Sequence, residues 1–169
     1  MRSIRLATVW LSGCSGCHMS LLNMHQDLLE ILAQCELVYS PLMDSKEYPA
    51  LVDIALVEGA VANWDNREMA RIIRQRTGIV ISLGDCAVNG NVSALRNPGG
   101  LAAAVEASYG KTGLEQALNR LEVSVLPLHQ VIRVDAFIPG CPPDPALIRQ
   151  EILQQLKAHL TKKAPLRAP

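Results

Sequence analysis

The sequence predicts an α/β fold: a three-layer, doubly wound and mostly parallel sheet of the flavodoxin-like type. Two observations carry this expectation. Short β-branched and apolar runs alternate with amphipathic stretches at helical spacing along the 169 residues. Strand–helix–strand order of that kind requires right-handed crossovers, which place helices on both faces of a parallel sheet. No internal repeat or low-complexity linker divides the chain, so one domain is expected over residues 1–160, with a flexible tail at 161–169.

Ile4 to Leu11 is a β-branched and apolar run that stops at Ser12-Gly13, and it reads as the first strand. His18, Leu21, Leu22, His25, Leu28, Leu29 and Leu32 then recur at helical spacing, which predicts one helix over residues 18–34. Leu37 to Ser40 is a short strand closed by Pro41. Asp53 to Val57 is a buried strand that ends at Glu58-Gly59. Asp65 stands three residues before Glu68, the spacing of a capping box, and opens a helix to about Arg76. Thr77-Gly78 stops that helix, Ile79 to Leu83 forms the next strand, and Gly84 to Gly90 is a loop. Residues 91–130 carry the weakest signal: Asn97-Pro98-Gly99-Gly100 is a turn, followed by an alanine-rich helix. A weak strand at Val131 to Phe137 precedes a final helix to about residue 160, capped by Asp144 with Pro145 in its first turn.

Composition narrows the function. Apolar residues make up 49% of the chain, enough for a core without disulfide staples, while aromatics are only 4% and Phe137 is the lone phenylalanine. The core must therefore be aliphatic. Formal charge is zero and no basic run occurs, which argues against a nucleic-acid surface. The apolar run at the N-terminus is too short to span a membrane, and no twin-arginine signal precedes it. A cytoplasmic protein with no direct membrane insertion is expected, unless a partner carries it across. Five cysteines in such a chain point to metal or redox chemistry more than to structural disulfides.

Four of them share a design. Cys14-Ser-Gly-Cys17 follows the first predicted strand, Cys86 follows the strand at 79–83, and Cys141 follows the last strand. In an open α/β sheet, loops at the carboxyl ends of strands converge, so distant cysteines can meet there. Gly13, Gly16, Gly84, Gly90 and Gly140 let the backbone turn tightly around them. A cubane iron–sulfur cluster takes one soft thiolate per iron, and Cys141 precedes proline, as cluster ligands often do. Zinc accepts four thiolates too, but structural zinc sites usually pair two close knuckles, and here the second pair is split by more than fifty residues. A thioredoxin-like dithiol at Cys14 and Cys17 leaves Cys86 and Cys141 unexplained. The pattern favours an iron–sulfur cluster, with zinc and dithiol readings still open. Cys35, without a glycine or proline neighbour at the end of the first helix, reads as a packed, idle thiol.

Four motifs in order then resemble one family. Cys14-Ser-Gly-Cys17-His18, Val57-Glu58-Gly59-Ala60, Gly84-Asp85-Cys86-Ala87 and Pro139-Gly140-Cys141-Pro142-Pro143 are similar to the small, electron-transfer subunit of nickel–iron hydrogenases. The stretch from Val9 to Leu22 is most similar to the NAD-reducing bidirectional cytoplasmic enzymes. The resemblance implies that Cys14, Cys17, Cys86 and Cys141 bind one proximal [4Fe–4S] cluster, beside a nickel–iron centre held by a large subunit. It further implies diaphorase subunits carrying FMN and iron–sulfur clusters, to which electrons pass on their way to NAD. No complete active site and no catalytic residue is expected on this chain. The runner-up resemblance is the iron–sulfur subunit of a complex I-type quinone reductase, which has adjacent cysteines at the first motif where Ser15 and Gly16 intervene here. A structural zinc-binding adaptor is the alternative from another class.

Single residues outside the ligand set carry weaker signals. Glu58 is either a solvated loop carboxylate or a proton-handling or partner-facing group. His18 is expected to hydrogen-bond near the cluster rather than to ligate it, and His129 to be loop structure. Trp10 is expected in the core, Trp64 as a partner anchor, and Arg96 as a surface arginine. A flavin beside the cluster is allowed by this kind of sheet edge but not favoured, because nothing resembles a full phosphate-binding loop.

Overall fold

The computed structural model describes residues 3–110 and 120–163, with side chains as far as residue 159. Seven strands occur among them: β1 (Ile4–Trp10), β2 (Cys35–Tyr39), β3 (Val52–Glu58), β4 (Val61–Asn63), β5 (Thr77–Leu83), β6 (Leu121–Leu126) and β7 (Ala136–Ile138). The helices are α1 (Gly16–Leu22), α2 (Gln26–Leu32), α3 (Trp64–Arg76), α4 (Asp85–Asn89), α5 (Leu101–Tyr109) and α6 (Pro145–Lys163). Five strands pair in the order β2-β1-β3-β5-β7, and every pairing is parallel. That order is the flavodoxin-like one, with its crossover between β1 and β3, where ligands collect at the carboxyl edge.

Alternation along the strands sorts two apolar layers. Leu6, Ile54, Leu56, Ile81 and Leu83 face α1, α2 and α6, meeting Leu21, Ile31, Ile148 and Ile152. Ala7, Val9, Ala55, Val57 and Val80 face the other way, against Ala70 and Ile73 of α3 and Leu128. All seven residues of β3 are buried, as expected for a central strand covered on both faces. Apart from the buried Tyr48, the core is aliphatic, as the shortage of aromatics requires.

Several boundaries differ from the sequence-based expectation. The predicted helix at 18–34 is two helices, α1 and α2, broken at Asn23 to His25, where His25 takes φ 49°. The apolar repeat continues through the break because Met24 turns inward and stays buried, so periodicity cannot register it. Cys35 opens β2 instead of ending a helix. Helix α3 is capped by Asn63, whose side chain accepts the Asn66 N–H at 2.8 Å; Asp65 lies inside the first turn. The strand expected over 131–137 is only β7, preceded by a 3-10 turn at Leu128–Gln130. The antiparallel pair β4 and β6 has no counterpart among the predicted strands. At the far end Asp144 Oδ1 accepts the Ala146 N–H at 2.7 Å and α6 runs on to Lys163. The rest of the expected tail lies outside the described residues.

Candidate metal centre

The three cysteine segments are held together by hydrogen bonds between loops. Where β1 and β3 end, the chain remains paired: Ser12 N–H donates to the Ala60 carbonyl at 3.1 Å, and Ala60 N–H returns to Ser12 at 2.8 Å. Gly59, at φ +91°, allows this approach, since a Cβ there would lie 2.9 Å from the backbone of Leu11 and Ser12. Ser15 takes a left-handed conformation, φ 66°, and turns the chain from Cys14 into α1, whose first turn carries Cys17. On the other side, Gly84 N–H donates to Ile138 at 2.8 Å and Asp85 N–H to Gly140 at 2.9 Å. Asp85 Oδ1 then accepts the Gly140 N–H at 2.7 Å. That reciprocal clamp fixes the Cys86 loop to the Cys141 loop. Ser20 Oγ donates to the Pro143 carbonyl at 2.5 Å and ties α1 to the same loop.

These contacts leave a cavity of about 160 Å³ at the carboxyl edge, lined by Cys14, Cys17, Cys86 and Cys141 together with Glu58 and Asp85. Cys17 is buried at the inner side, Cys86 is half-buried, and Cys14 and Cys141 are exposed. No room is wasted against the thiols. A Cβ at Gly84 would stand 2.2 Å from Cys17 Sγ, and one at Gly16 would stand 3.2 Å from Cys14 Sγ. Burial pushes the Cys17 thiol up to about 12, helped by Glu58 and then by the other three thiols. Cys86 is raised as well, by burial, partly offset by a hydrogen bond from Ser93. Thiols in this setting hold their protons unless a cation compensates them.

The donor set and the space fit an iron–sulfur cluster. Four thiolates on one zinc ion, at Zn–S of about 2.3 Å, would sit about 3.8 Å apart and close the space between them. Here the four thiols line one cavity. A cubane takes one soft thiolate at each of four irons, and four thiols are present.

Glu58 is 1% exposed, so it is no solvated loop carboxylate. Its Oε2 accepts the His18 backbone N–H at 2.9 Å and meets His18 Nδ1 at 2.5 Å. His18 is itself buried, and its Nε2 has no partner. Trp10 departs from expectation: it is 46% exposed and lies over the first cysteine loop, its Nε1 donating to Gly13 at 3.0 Å. Trp64 is exposed. Arg96 is not a surface arginine but a clip, donating to the carbonyls of Ala62 at 3.2 Å and Glu122 at 2.7 Å, and burial lowers its pKa. His129 is exposed and stacks edge-on with Phe137, away from the cavity. Cys35 is buried, donates to Ile31 at 3.2 Å and is pushed up to about 11 by burial alone. It does not line the cavity.

Residues 14–155 match the family described as NADH ubiquinone oxidoreductase, 20 kDa subunit. The chain belongs to that family. Relatives that it matches include hydrogenase subunits. It is 38% identical over 152 residues to the delta subunit of the NAD-reducing hydrogenase HoxS of Cupriavidus necator, covering 83% of this chain and 73% of that one. It is 37% identical over 166 residues to a subunit of the F420-non-reducing hydrogenase of Methanothermobacter marburgensis, covering 91% and 54%. The chain thus spans about half the length of the methanogen relatives. Among solved structures, one described as an NAD+-reducing [NiFe]-hydrogenase in the H2-reduced state superimposes with a TM-score of 0.83 at 34% identity, covering 93% of each chain. A [NiFeSe]-hydrogenase at 18% identity shares the fold, TM-score 0.66. This member of the family is a hydrogenase small-subunit-like chain. The positioning roles of Asp85, Ser20 and Ser93 are not legible in the sequence. Asp85 stands inside a recognised motif, but only the loop-to-loop bond reveals its work, and Ser93 carries no local signal.

Proposed function

We propose that this chain is the electron-relaying small subunit of a cytoplasmic NAD-reducing nickel–iron hydrogenase, with one proximal [4Fe–4S] cluster on Cys14, Cys17, Cys86 and Cys141. The convergence of those four thiols on one cavity carries the proposal. When bound, such a cluster stores and releases one electron at a time. The chain supplies the setting. Cys17 and the aliphatic layer beneath it keep water from the inner side, and the exposed Cys14 and Cys141 turn the outer side toward a partner. The Asp85 clamp holds two ligand loops in register, and Glu58 and Asp85 set carboxyl groups beside the thiols. Negative charge there makes an added electron costlier and lowers the potential.

Hydrogen splitting belongs, on this reading, to a nickel–iron large subunit, and electrons leave for diaphorase subunits carrying FMN and further clusters. The likeness to the HoxS delta subunit and to an NAD+-reducing enzyme supports NAD as the acceptor. The relatives named as F420-non-reducing hydrogenases favour a second reading for the acceptor alone. Isolation of the native complex under anaerobic conditions tests both. The expected result is a copurifying large subunit and hydrogen-dependent reduction of NAD. Hydrogen uptake with ferredoxin or another acceptor but not NAD would move the acceptor, and absence of hydrogen uptake would overturn the assignment. No helix among the described residues is long and apolar enough to cross a membrane.

A further inference from the structure

The chain that follows Cys86 folds back over its own thiol. Helix α4 ends at Gly90, φ +91°, and Asn91 follows at φ 37°, a backbone conformation that is costly for a residue other than glycine. Asn89 Oδ1 accepts the Asn91 N–H at 2.9 Å and steadies that turn. A 3-10 turn over Asn91–Arg96 comes next, and Arg96 clips its far end to the Ala62 and Glu122 carbonyls. Held from both ends, the turn sets a half-buried Ser93 in the wall of a cleft that Cys14, Cys86 and Cys141 also line. Ser93 Oγ donates to the Ser12 carbonyl at 3.1 Å. Its hydroxyl and its backbone N–H both hydrogen-bond the Cys86 sulfur. Asp85 ties the Cys86 loop to the Cys141 loop, Ser20 ties α1 to the Cys141 loop, and Ser93 ties the Cys86 segment to the Cys14 loop. Ser93 thus closes a ring of ties around the thiols.

We propose that Ser93 is a positioning residue that tunes the cluster: its hydroxyl turns from the Ser12 carbonyl to Cys86 Sγ when that sulfur carries ligand charge, and raises the reduction potential. The proposal rests on the reading that the four thiols hold an iron–sulfur cluster. A serine has one O–H, and two acceptors compete for it here. A hydrogen bond to an ionised group is about twice as strong as a neutral one, so the charged sulfur wins. The Ser12 carbonyl loses little, because it also accepts the Ala60 N–H at 2.8 Å. A donor on the sulfur draws off negative charge and stabilises the reduced state, which is the more negative one. Ser93 therefore opposes Glu58 and Asp85, whose carboxyl groups beside the thiols lower the potential.

The test is an EPR-monitored redox titration of the native complex beside Ser93→Ala and Ser93→Thr, with iron and sulfide assayed on each. Ser93→Ala is expected to keep its iron and sulfide and to become harder to reduce. At a fixed potential its reduced-to-oxidised ratio should fall by up to about tenfold, roughly 59 mV for a one-electron couple. Ser93→Thr keeps the hydroxyl and should restore the wild-type value. A cluster of unchanged potential in Ser93→Ala would overturn the proposal, as would a Ser93→Thr value as low as that of the alanine variant. Iron and sulfide missing from the wild type would overturn the cluster reading itself, and this proposal with it. Should Ser93→Ala fail to retain the cluster, a crystal structure of the wild-type complex decides. Ser93 Oγ is then expected in contact with Cys86 Sγ, and an Oγ bonded to the Ser12 carbonyl alone would overturn the proposal.

Discussion

The two ends of the parallel sheet treat polar groups in opposite ways. At the amino end, polar groups meet complementary ones. Asp53 accepts the Arg5 N–H at 2.8 Å and faces His159 at 3.3 Å, Tyr48 bonds Thr77 at 2.6 Å, and Asp135 accepts from Val80 at 2.8 Å and Arg74 at 2.6 Å. At the carboxyl end, four thiols and two carboxyl groups line one cavity with no lysine or arginine among its described lining. The amino end is complete as folded. The carboxyl end gathers groups that repel one another as anions, and such a breach of local consistency marks a functional site. On the proposed reading, iron supplies the positive charge that would let these thiols ionise.

Substitutions at the two ends should separate cleanly. The largest effect is expected at the ligands: serine at Cys14, Cys17, Cys86 or Cys141 should remove most bound iron and sulfide, measured by chemical analysis. Gly84→Ala comes next. Its Cβ would collide with Cys17 Sγ at 2.2 Å, whereas at Gly100, also at positive φ, nothing lies within 4 Å. Gly84→Ala should lose most of the cluster, and Gly100→Ala should keep it while costing about 1–3 kcal/mol in denaturant unfolding.

A smaller effect is expected at Asp85. Asp85→Ala strips the acceptor from the Gly140 N–H and should cost about 1–3 kcal/mol together with part of the iron. Asp85→Asn keeps an acceptor and should retain the iron, with a higher reduction potential by EPR-monitored titration. At the amino end the readout is pH. Burial would raise Asp135, but the Val80 N–H, Arg74 and Arg133 hold it below the usual carboxylate range. Its stabilisation is therefore present above an unfolded pKa of about 3.9 and is lost as pH falls through the depressed folded value. Asp135→Asn should flatten the acid limb of the stability curve and leave iron content unchanged. The smallest effect is expected for Cys35→Ser: unaltered iron and a stability change within about 1 kcal/mol.

The sheet was legible because its strands are aliphatic runs ended by glycine, and the site because Cys14, Cys86 and Cys141 each follow such a run. Other features depend on contacts that sequence periodicity does not encode. One residue at positive φ, His25, splits a helix whose apolar repeat continues past it. Strand β6 finds its partner β4 more than fifty residues earlier and is fastened by Arg96 and by the Arg67–Glu122 pair. Trp10 looked like core because it ends an apolar strand, yet its indole is drawn outward by the Gly13 carbonyl. The place of Glu58 rests on its burial and its His18 partner, neither of which local sequence encodes.

The central claim is that four thiols hold one cluster, and the most direct measurement is metal and sulfide stoichiometry on the anaerobically purified chain, with EPR after reduction. The account predicts about four iron and four sulfide per chain and the signal of a reduced cubane. Zinc bound without sulfide would contradict it.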